Sequence, residues 1–285
     1  MDAEQFLNEV LTCSERPDGF EQTYKRFQEI QSLVMSTLNE FHRVCELNGV
    51  EYFLAYGSLL GAIRDGGQIP WDYDVDVLLR ISDRDVLIQA LKKDLGDNFY
   101  FVTSAVDPSC RHEMIRVAPK GYKSEIIHVD VFLLAGLPEN KEERMKMENQ
   151  FQFLQKARYL KKMSIKDEWR NSYKRLLMIL GGKILFAPIP MAYVDRKFLE
   201  LAFKYPIDKS SFCCTADGFA TTTEYPTEWL RGSELIQTSQ GQFRIAEHYL
   251  DFLKKDYGNY MEIPSRKSRI RSVMNSIEHF DFLNK

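Results

Sequence analysis

Three aspartates at alternate positions, Asp72, Asp74 and Asp76, form the cluster whose residue type and spacing most clearly suggest chemistry. Val75, Val77 and Leu79 alternate with Asp74, Asp76 and Arg80, which predicts a half-buried β-strand. Side chains two positions apart on a strand point to the same side, so the carboxylates are predicted to line one face. Neighbouring carboxylates repel unless a cation lies between them, and oxygen ligands suit Mg²⁺ or Mn²⁺. The cluster therefore predicts a metal site of the kind that holds phosphate groups.

Two further features surround this cluster. Gly57-Ser58 follows an apolar run and precedes a short predicted helix, where backbone N–H groups and the hydroxyl can hold a phosphate. Asp130 lies between two valines on a later predicted strand and adds another carboxylate. A lone Asp-x-Asp arises by chance in a chain with this many aspartates. These surroundings therefore favour an active site over a set of exposed strand carboxylates.

The elements that must position these residues are predicted from periodicity. Apolar residues from Phe27 to Cys45 recur every three or four positions, which indicates a helix that ends at Asn48-Gly49. Strands are predicted at 50–56, 74–80, 99–103, 113–118 and 126–134, and helices dominate after residue 139. A strand, Gly-Ser, Asp-x-Asp and a distal Asp, in this order, are the layout of the nucleotidyltransferase fold.

We therefore predict an α+β fold: a nucleotidyltransferase-like mixed sheet flanked by helices, with a mostly helical C-terminal half. Three parts are predicted. Residues 1–48 form an N-terminal helical segment, and residues 49–136 form the catalytic core. Residues 137–285 form a helical region that completes the substrate site.

The composition limits the partners and the compartment. A formal net charge of −3 lacks the basic bias of nucleic-acid-binding proteins, so no nucleic-acid partner is expected. The first twenty residues have no long apolar run, which predicts no secretory signal. Five scattered cysteines without a CxxC pair indicate free thiols, and the dispersed histidines do not indicate a zinc site. We predict a cytoplasmic protein.

The most apolar run of the chain is residues 176–192, which contain one charged residue, Lys183. Two glycines and two prolines interrupt the run, and it is too short for a membrane span. A buried helix with its turn is the favoured interpretation. The alternative is a segment that rests on a membrane, which would make the protein peripheral at the inner membrane face.

Three segments resemble the LicD family, which includes bacterial phosphocholine transferases and animal fukutin-type ribitol-phosphate transferases. The longest match joins Gly57–Arg64 to Ile69–Asp76. Ile127–Phe132 resembles the Ile-Asp-Ile-Phe segment of the family, and Tyr257–Pro264 resembles its Tyr-Gly-Asp-Tyr-Met…Pro segment. The segments lie in the family order and cover most of residues 50–270.

The resemblance implies the transfer of a phospho-alcohol, such as phosphocholine, from a CDP-linked donor, with release of CMP. The implied acceptor is a hydroxyl of a glycan or lipid-linked glycan, as in the modification of lipopolysaccharide or teichoic acid. It implies that Asp74, Asp76 and Asp130 are catalytic and, with Asp72, hold the metal ion. Asp130 either completes the metal site or activates the acceptor hydroxyl.

Five residues are candidates for substrate binding: Gly57, Ser58, Arg64, Trp71 and Arg116. Arg64 is placed beside the Gly-Ser turn by the motif, and a guanidinium can bind a phosphate through two hydrogen bonds. For Arg116 a surface charge is an equal alternative. Trp71 stacks on a base or sugar, or else it is a core aromatic. His128, near Asp130, is more readily explained as a structural histidine than as a general base.

The sequence departs from the family pattern at Asp65, at Tyr73 and at Leu133-Leu134. None of these departures removes a predicted metal ligand, so they affect the substrate more than the chemistry. Two other enzyme classes compete: a nucleotidyltransferase that passes NMP to a small molecule, and a metal-dependent glycosyltransferase. A non-enzymatic binding protein is disfavoured because all the acidic positions are present.

Overall fold

A computed structural model describes residues 1–13, 16–107, 110, 112–163, 173–217 and 224–283. The helices in these ranges are α1 (Ala3–Leu11), α2 (Phe20–Asn48), α3 (Tyr56–Leu60), α4 (Arg84–Asp94), α5 (Lys141–Lys162), α6 (Tyr173–Phe186), α7 (Met191–Ala202), α8 (Tyr249–Tyr257) and α9 (Arg266–Leu283). The strands are β1 (Tyr52–Leu54), β2 (Asp76–Arg80), β3 (Phe99–Val102), β4 (Ile115–Pro119), β5 (Val129–Leu137), β6 (Phe212–Thr215), β7 (Glu224–Pro226), β8 (Ser233–Thr238) and β9 (Gly241–Ala246).

The main sheet is organised around β5. β2 runs parallel to β5 along one side. On the other side, β4 pairs with the beginning of β5 and β6 pairs with its end, both antiparallel. β1, β3 and β7 lie outside β2, β4 and β6, respectively. The sheet is therefore mixed and flanked by helices, which confirms the predicted α+β class.

The long helix α2 packs on this sheet. Its 29 residues carry the predicted stripe of buried side chains, including Phe27, Val34 and Phe41. The helix ends where Gly49 takes a left-handed backbone conformation with φ 64°. α2 contacts β4, β5 and α4, so it covers one face of the sheet. The predicted helix and its end are both confirmed.

The C-terminal half contributes strands as well as helices. β6 and β7 extend the main sheet from β5, and β8 and β9 form a separate hairpin that contacts β1. The sequence analysis missed these four strands because they are three to six residues long. Since β6 pairs with β5, the boundary predicted at residue 137 falls inside one continuous sheet, and the three-part division stays a prediction.

Helices α6 and α7 pack on α5. No single helix in the described ranges has both the length and the apolar composition to span a bilayer. Residues Leu176–Phe186 and Met191–Lys209, which meet at 83°, reach that length and composition only together.

The central position of β5 predicts a large cost for truncating its side chains. Leu133 is fully buried, so Leu133→Ala should lower the free energy of unfolding by about 2–5 kcal/mol. Leu235 on β8 is 42% exposed, and Leu235→Ala should cost less than about 1 kcal/mol. Urea denaturation of both variants measures the difference. Equal losses would contradict the central position of β5.

Candidate active site

A row of charged side chains crosses the sheet at the beginning of β5. Asp76, the first residue of β2, is the register partner of Asp130 on β5. Asp130 is in turn the register partner of Arg116 on β4. Residues paired across neighbouring strands project from the same face of a sheet. Strand pairing therefore brings together two predicted catalytic aspartates and a predicted substrate-binding arginine.

Asp72 and Asp74 lie in the loop before β2. The strand predicted from residue 74 is two residues too long, because β2 begins at Asp76. At Asp74 the backbone N–H donates to Oδ1 of Asp72 at 3.3 Å, and bonding to β5 begins only at Val75, whose carbonyl oxygen accepts the N–H of Asp130 at 2.9 Å. The alternation of a strand therefore does not position these two carboxylates. The loop does.

Helix α2 holds this loop in place. Nε2 of Gln31 donates to the carbonyl oxygens of Ile69 at 3.0 Å and Asp72 at 2.7 Å. The hydroxyl of Tyr24 donates to the carbonyl oxygen of Pro70 at 3.0 Å. Tyr24 and Gln31 are themselves buried. These bonds satisfy loop carbonyls in a water-poor region, so they fix the path of the backbone into the acidic cluster.

The Gly57-Ser58 turn contacts the same cluster. Oγ of Ser58 accepts a hydrogen bond from the N–H of Asp76 at 2.9 Å. A Cβ atom on Gly57 would lie 2.9 Å from Oδ2 of Asp72, so a larger residue would displace that carboxylate. Tyr56 has a left-handed backbone with φ 45°, an unfavourable conformation for an aromatic residue. The turn therefore positions two acidic residues, and its predicted contact with phosphate stays a prediction.

The three clustered aspartates resist ionisation. Burial raises the pKa of Asp72 to about 6, and the charge of Asp74 contributes. Burial also raises the pKa of Asp74, which still reaches solvent, and Asp130 adds to this effect. The pKa of Asp76 is raised well above its ordinary value by burial and by the surrounding carboxylates. A bound cation would relieve this repulsion.

Asp130 is the ionised member of the row. Nε of Arg116 donates to its Oδ1 at 2.7 Å, and Nε2 of His128 lies 3.3 Å from its Oδ2. Burial opposes ionisation, but the His128 and Arg116 charges and hydrogen bonds hold the pKa of Asp130 well below its usual range. Nδ1 of His128 is buried without a hydrogen-bond partner among the described residues.

The donor chemistry of the cluster fits a hard divalent cation. Asp72, Asp74 and Asp76, with Asp130, supply oxygen ligands, and burial together with the neighbouring carboxylates raises the pKa values of the first three. Within the described ranges, no three His, Cys, Asp or Glu side chains form a ready-made metal site. Mg²⁺ does not require one, because proteins usually hold it through one or two carboxylates together with substrate phosphates.

Arg64 and Trp71 lie in an aromatic cluster beside the acidic loop. Nη2 of Arg64 lies 2.7 Å from the carboxylate of Asp65, the residue that departs from the family pattern. Trp71 is buried, with its ring centroid 5.4 Å from that of Phe6. The guanidinium groups of Arg64 and Arg269 lie 5.7 and 5.1 Å from the Trp71 ring. Trp71 thus has a core position, and the substrate roles of both residues stay predictions.

The sequence analysis missed Asp217, a fully buried carboxylate next to β5. Its two oxygens accept the N–H of Leu133 at 3.0 and 3.1 Å. Burial raises the pKa of Asp217 well above its ordinary value, and Glu113 and Asp130 contribute to the increase. No other acidic residue lies close to Asp217 in the sequence, so no spacing pattern indicated it.

The Tyr257 segment reaches the acidic cluster from the C-terminal half. α8, which ends at Tyr257, contacts α3. Burial raises the pKa of Tyr257, and nearby acidic residues including Asp72 and Asp76 add to the effect. Only the family resemblance had indicated this segment, because its own residues carry no metal-binding or catalytic pattern.

The part of the chain that contains this site matches a known protein family. Residues 49–172 match the LicD/FKTN/FKRP nucleotidyltransferase domain, which contains β1 through β5 and all the predicted site residues. The chain carries a LicD-family nucleotidyltransferase domain. Its first residues follow the end of α2, and the acidic loop, the Gly-Ser turn and the charged row all lie inside it.

Two relatives differ in how much of the chain they cover. Lipopolysaccharide cholinephosphotransferase LicD of Haemophilus influenzae is 24% identical over 261 residues, which are 85% of this chain and 94% of that protein. Ribitol 5-phosphate transferase FKRP of Mus musculus is 58% identical over 40 residues. That match covers 14% of this chain and 8% of FKRP. The likeness to LicD is thus broad, and that to FKRP is local.

Repulsion in the cluster predicts that neutralising one carboxylate stabilises the metal-free protein. The pKa of Asp76 is higher in the folded than in the unfolded state, so its charge destabilises the folded state at neutral pH. Asp76→Asn should therefore raise the free energy of unfolding at pH 7. This gain in the free energy of unfolding should decrease as the pH falls to about 4, where the wild-type Asp76 carboxyl becomes protonated in the unfolded state as well as in the folded state.

Urea denaturation in EDTA at neutral and acid pH measures this gain. Asp97→Asn, which changes an exposed aspartate in the same way, is the matched control and should leave stability unchanged. A loss of stability in Asp76→Asn at pH 7 would refute the repulsion.

Proposed function

We propose that this chain transfers a phospho-alcohol from a CDP-linked donor to a hydroxyl of a glycan or a cell-surface polymer precursor, with Mg²⁺ or Mn²⁺ and release of CMP. The row of Asp76, Asp130 and Arg116 within a LicD-family domain carries the proposal. The broad likeness to a lipopolysaccharide cholinephosphotransferase supports phosphocholine as the transferred group. The local likeness to a ribitol 5-phosphate transferase supports a phospho-alcohol more generally.

In the proposed reaction, the acceptor oxygen forms a bond to the phosphorus that carries the alcohol. The bond from that phosphorus to the bridging oxygen breaks, CMP leaves with the bridging oxygen, and the hydroxyl proton passes to a base or to water. A divalent cation would neutralise charge on the phosphate oxygens. We assign Asp74 and Asp76 to holding the cation, with Asp72 as a neighbouring ligand that can support them, and Arg116, which Asp130 orients, to the donor phosphate.

We assign Asp130 a role as a permanent anion. Arg116 and His128 approach its two carboxylate oxygens and hold its pKa well below the usual range. A carboxylate with such a low pKa is a weak proton acceptor at neutral pH. Orientation of Arg116 and completion of the cation site therefore fit Asp130 better than deprotonation of the acceptor hydroxyl.

We also place the reaction in the cytoplasm. All five cysteines are free thiols, and three of them are buried, which suits a reducing compartment. The acceptor we propose there is a glycan or lipid-linked glycan precursor, since the first relative is named for lipopolysaccharide.

The acidic pair gives the direct test of the proposed reaction. CDP-choline with Mg²⁺ at about 100 times its dissociation constant should stabilise the wild type by about 2.7 kcal/mol. Asp74→Asn and Asp76→Asn should each lower CMP release by about a hundredfold or more, because each removes charge that holds the cation and donor. Asp97→Asn is the control and should keep full activity.

Thermal shift, a CMP-release assay and the product mass measure these effects. Retained turnover in either acidic variant would refute the metal assignment. An acceptor that gains CMP, instead of the phospho-alcohol, would show a nucleotidyltransferase.

The two roles considered for Asp130 predict different outcomes for Asp130→Asn. If Asp130 is an anion that holds Arg116 and supports the cation, the substitution should weaken Mg²⁺-dependent binding of CDP-choline by more than about tenfold. The transfer rate should fall as well. Calorimetric binding and CMP release from one preparation provide both values. If donor affinity stays within about tenfold while the rate falls by roughly a hundredfold or more, Asp130 is the general base.

A further inference from the structure

We propose that α6 carries a surface that binds an anionic lipid bilayer. Six large apolar side chains, here called the α6 face, are between 36% and 75% exposed: Tyr173, Leu177, Met178, Leu180, Ile184 and Leu185. Contiguous exposed apolar side chains of this kind mark interaction sites on soluble proteins. The inference goes beyond the transfer reaction and does not depend on it.

The orientation of α6 is fixed by its opposite side. Ile179 and Phe186 are buried there. Gly182 approaches α5 so closely that a Cβ atom would lie 2.6 Å from Cδ1 of Leu160. α6 is therefore held on α5 by one apolar side while its other apolar side remains in solvent. A helix that is apolar all round is normally buried on every side, so the α6 face lacks a covering partner among the residues that the structure describes.

The charges around the α6 face favour anionic lipid as that partner. The stretch from the start of α6 to residue 194 contains three basic residues, Lys174, Arg175 and Lys183, and no acidic residue. Basic residues beside an apolar helix face attract anionic headgroups while the apolar side chains enter the headgroup boundary. Charges of a single sign fit a lipid surface, whereas a protein partner would have to supply a matching acidic patch.

A cavity also lies beside the buried end of α6. It has a volume of about 600 Å³ and lies between α5 and α7. Phe153 and Tyr193 supply apolar walls, Lys197 is paired with Glu200 at 2.6 Å, and Lys204 adds a positive charge. The ring of Phe153 lies 5.5 Å from that of Phe186 at the end of α6, so the cavity is continuous with the helix that carries the face.

Helix α5 connects the α6 face to the main sheet. Arg158, near the end of α5, pairs with Glu113, which precedes β4. β4 carries Arg116, the partner of Asp130. Leu160, which packs against α6, lies two residues after Arg158. The helix that carries the α6 face is therefore linked through α5 to the strand that carries Arg116.

The contact is with the membrane surface. α7 buries Val194 and Phe198 in the protein, and α6 buries Ile179 and Phe186. Because one side of each helix packs against the protein core, only the opposite side of each helix is available to contact the bilayer. The expected mode is therefore an interfacial helix pair that enters the headgroup region.

Vesicle sedimentation without nucleotide or metal ion tests this surface. Wild-type protein should pellet with vesicles of equimolar phosphatidylcholine and phosphatidylglycerol, and less with phosphatidylcholine alone. The double variant Ile184→Asp with Leu185→Asp should lower the partition coefficient at least about tenfold, because it replaces two apolar side chains that are 75% and 72% exposed.

The matched control is the double variant Leu47→Asp with Val86→Asp. It adds the same charge at two apolar side chains that are 62% and 52% exposed and lie on α2 and α4, away from the α6 face. This variant should bind like the wild type. Circular dichroism and melting temperature should be unchanged in both double variants.

Three outcomes would overturn the proposal: wild type that stays in the supernatant, equal loss of binding in the two double variants, or equal binding to neutral and anionic vesicles. A wild-type dimer that Ile184→Asp with Leu185→Asp separates would show that a second copy covers the face instead. The transfer assay is independent of these results, so either inference can fail alone.

Discussion

The register of β2 against β5 is the constraint on which the proposed active site depends. It places Asp76 directly beside Asp130 in a part of the protein where carboxylates are costly to ionise. Arg116, in the same row, pairs with Asp130. Asp76 has no such partner in the row, and the charges of Asp72 and Asp74 oppose its ionisation. The sheet thus creates an excess of negative charge that a divalent cation and its phosphate ligands would balance.

The core of the domain and the acidic loop are held by the same helix. The apolar stripe of α2 packs on the sheet, while its buried polar side chains, Tyr24 and Gln31, bond to carbonyls of the loop. A shift of α2 on the sheet would therefore move Asp72 as well. The position of the proposed catalytic groups therefore depends on how α2 packs against the sheet.

The site also draws on residues beyond the matched family domain, which ends at residue 172. Asp217 bonds to the backbone of β5, and the Tyr257 end of α8 approaches the acidic cluster. β6 pairs with the end of β5 and so continues the sheet with a strand from the C-terminal half. The broad likeness to Haemophilus influenzae LicD, over 85% of this chain, fits a site built from both halves.

The sequence by itself determined helix α2, through its apolar periodicity, as well as the α+β class, the family and the local acidic cluster. Each of these depends on residues that lie close together in the chain. Only the tertiary structure decided that Asp130 bonds to Arg116, that Trp71 is buried, and that Asp217 joins the β5 backbone. These facts depend on strand register and on contacts between distant segments. Sequence spacing does not predict such contacts, because the free energy that favours them comes from packing and charge pairing in the folded chain.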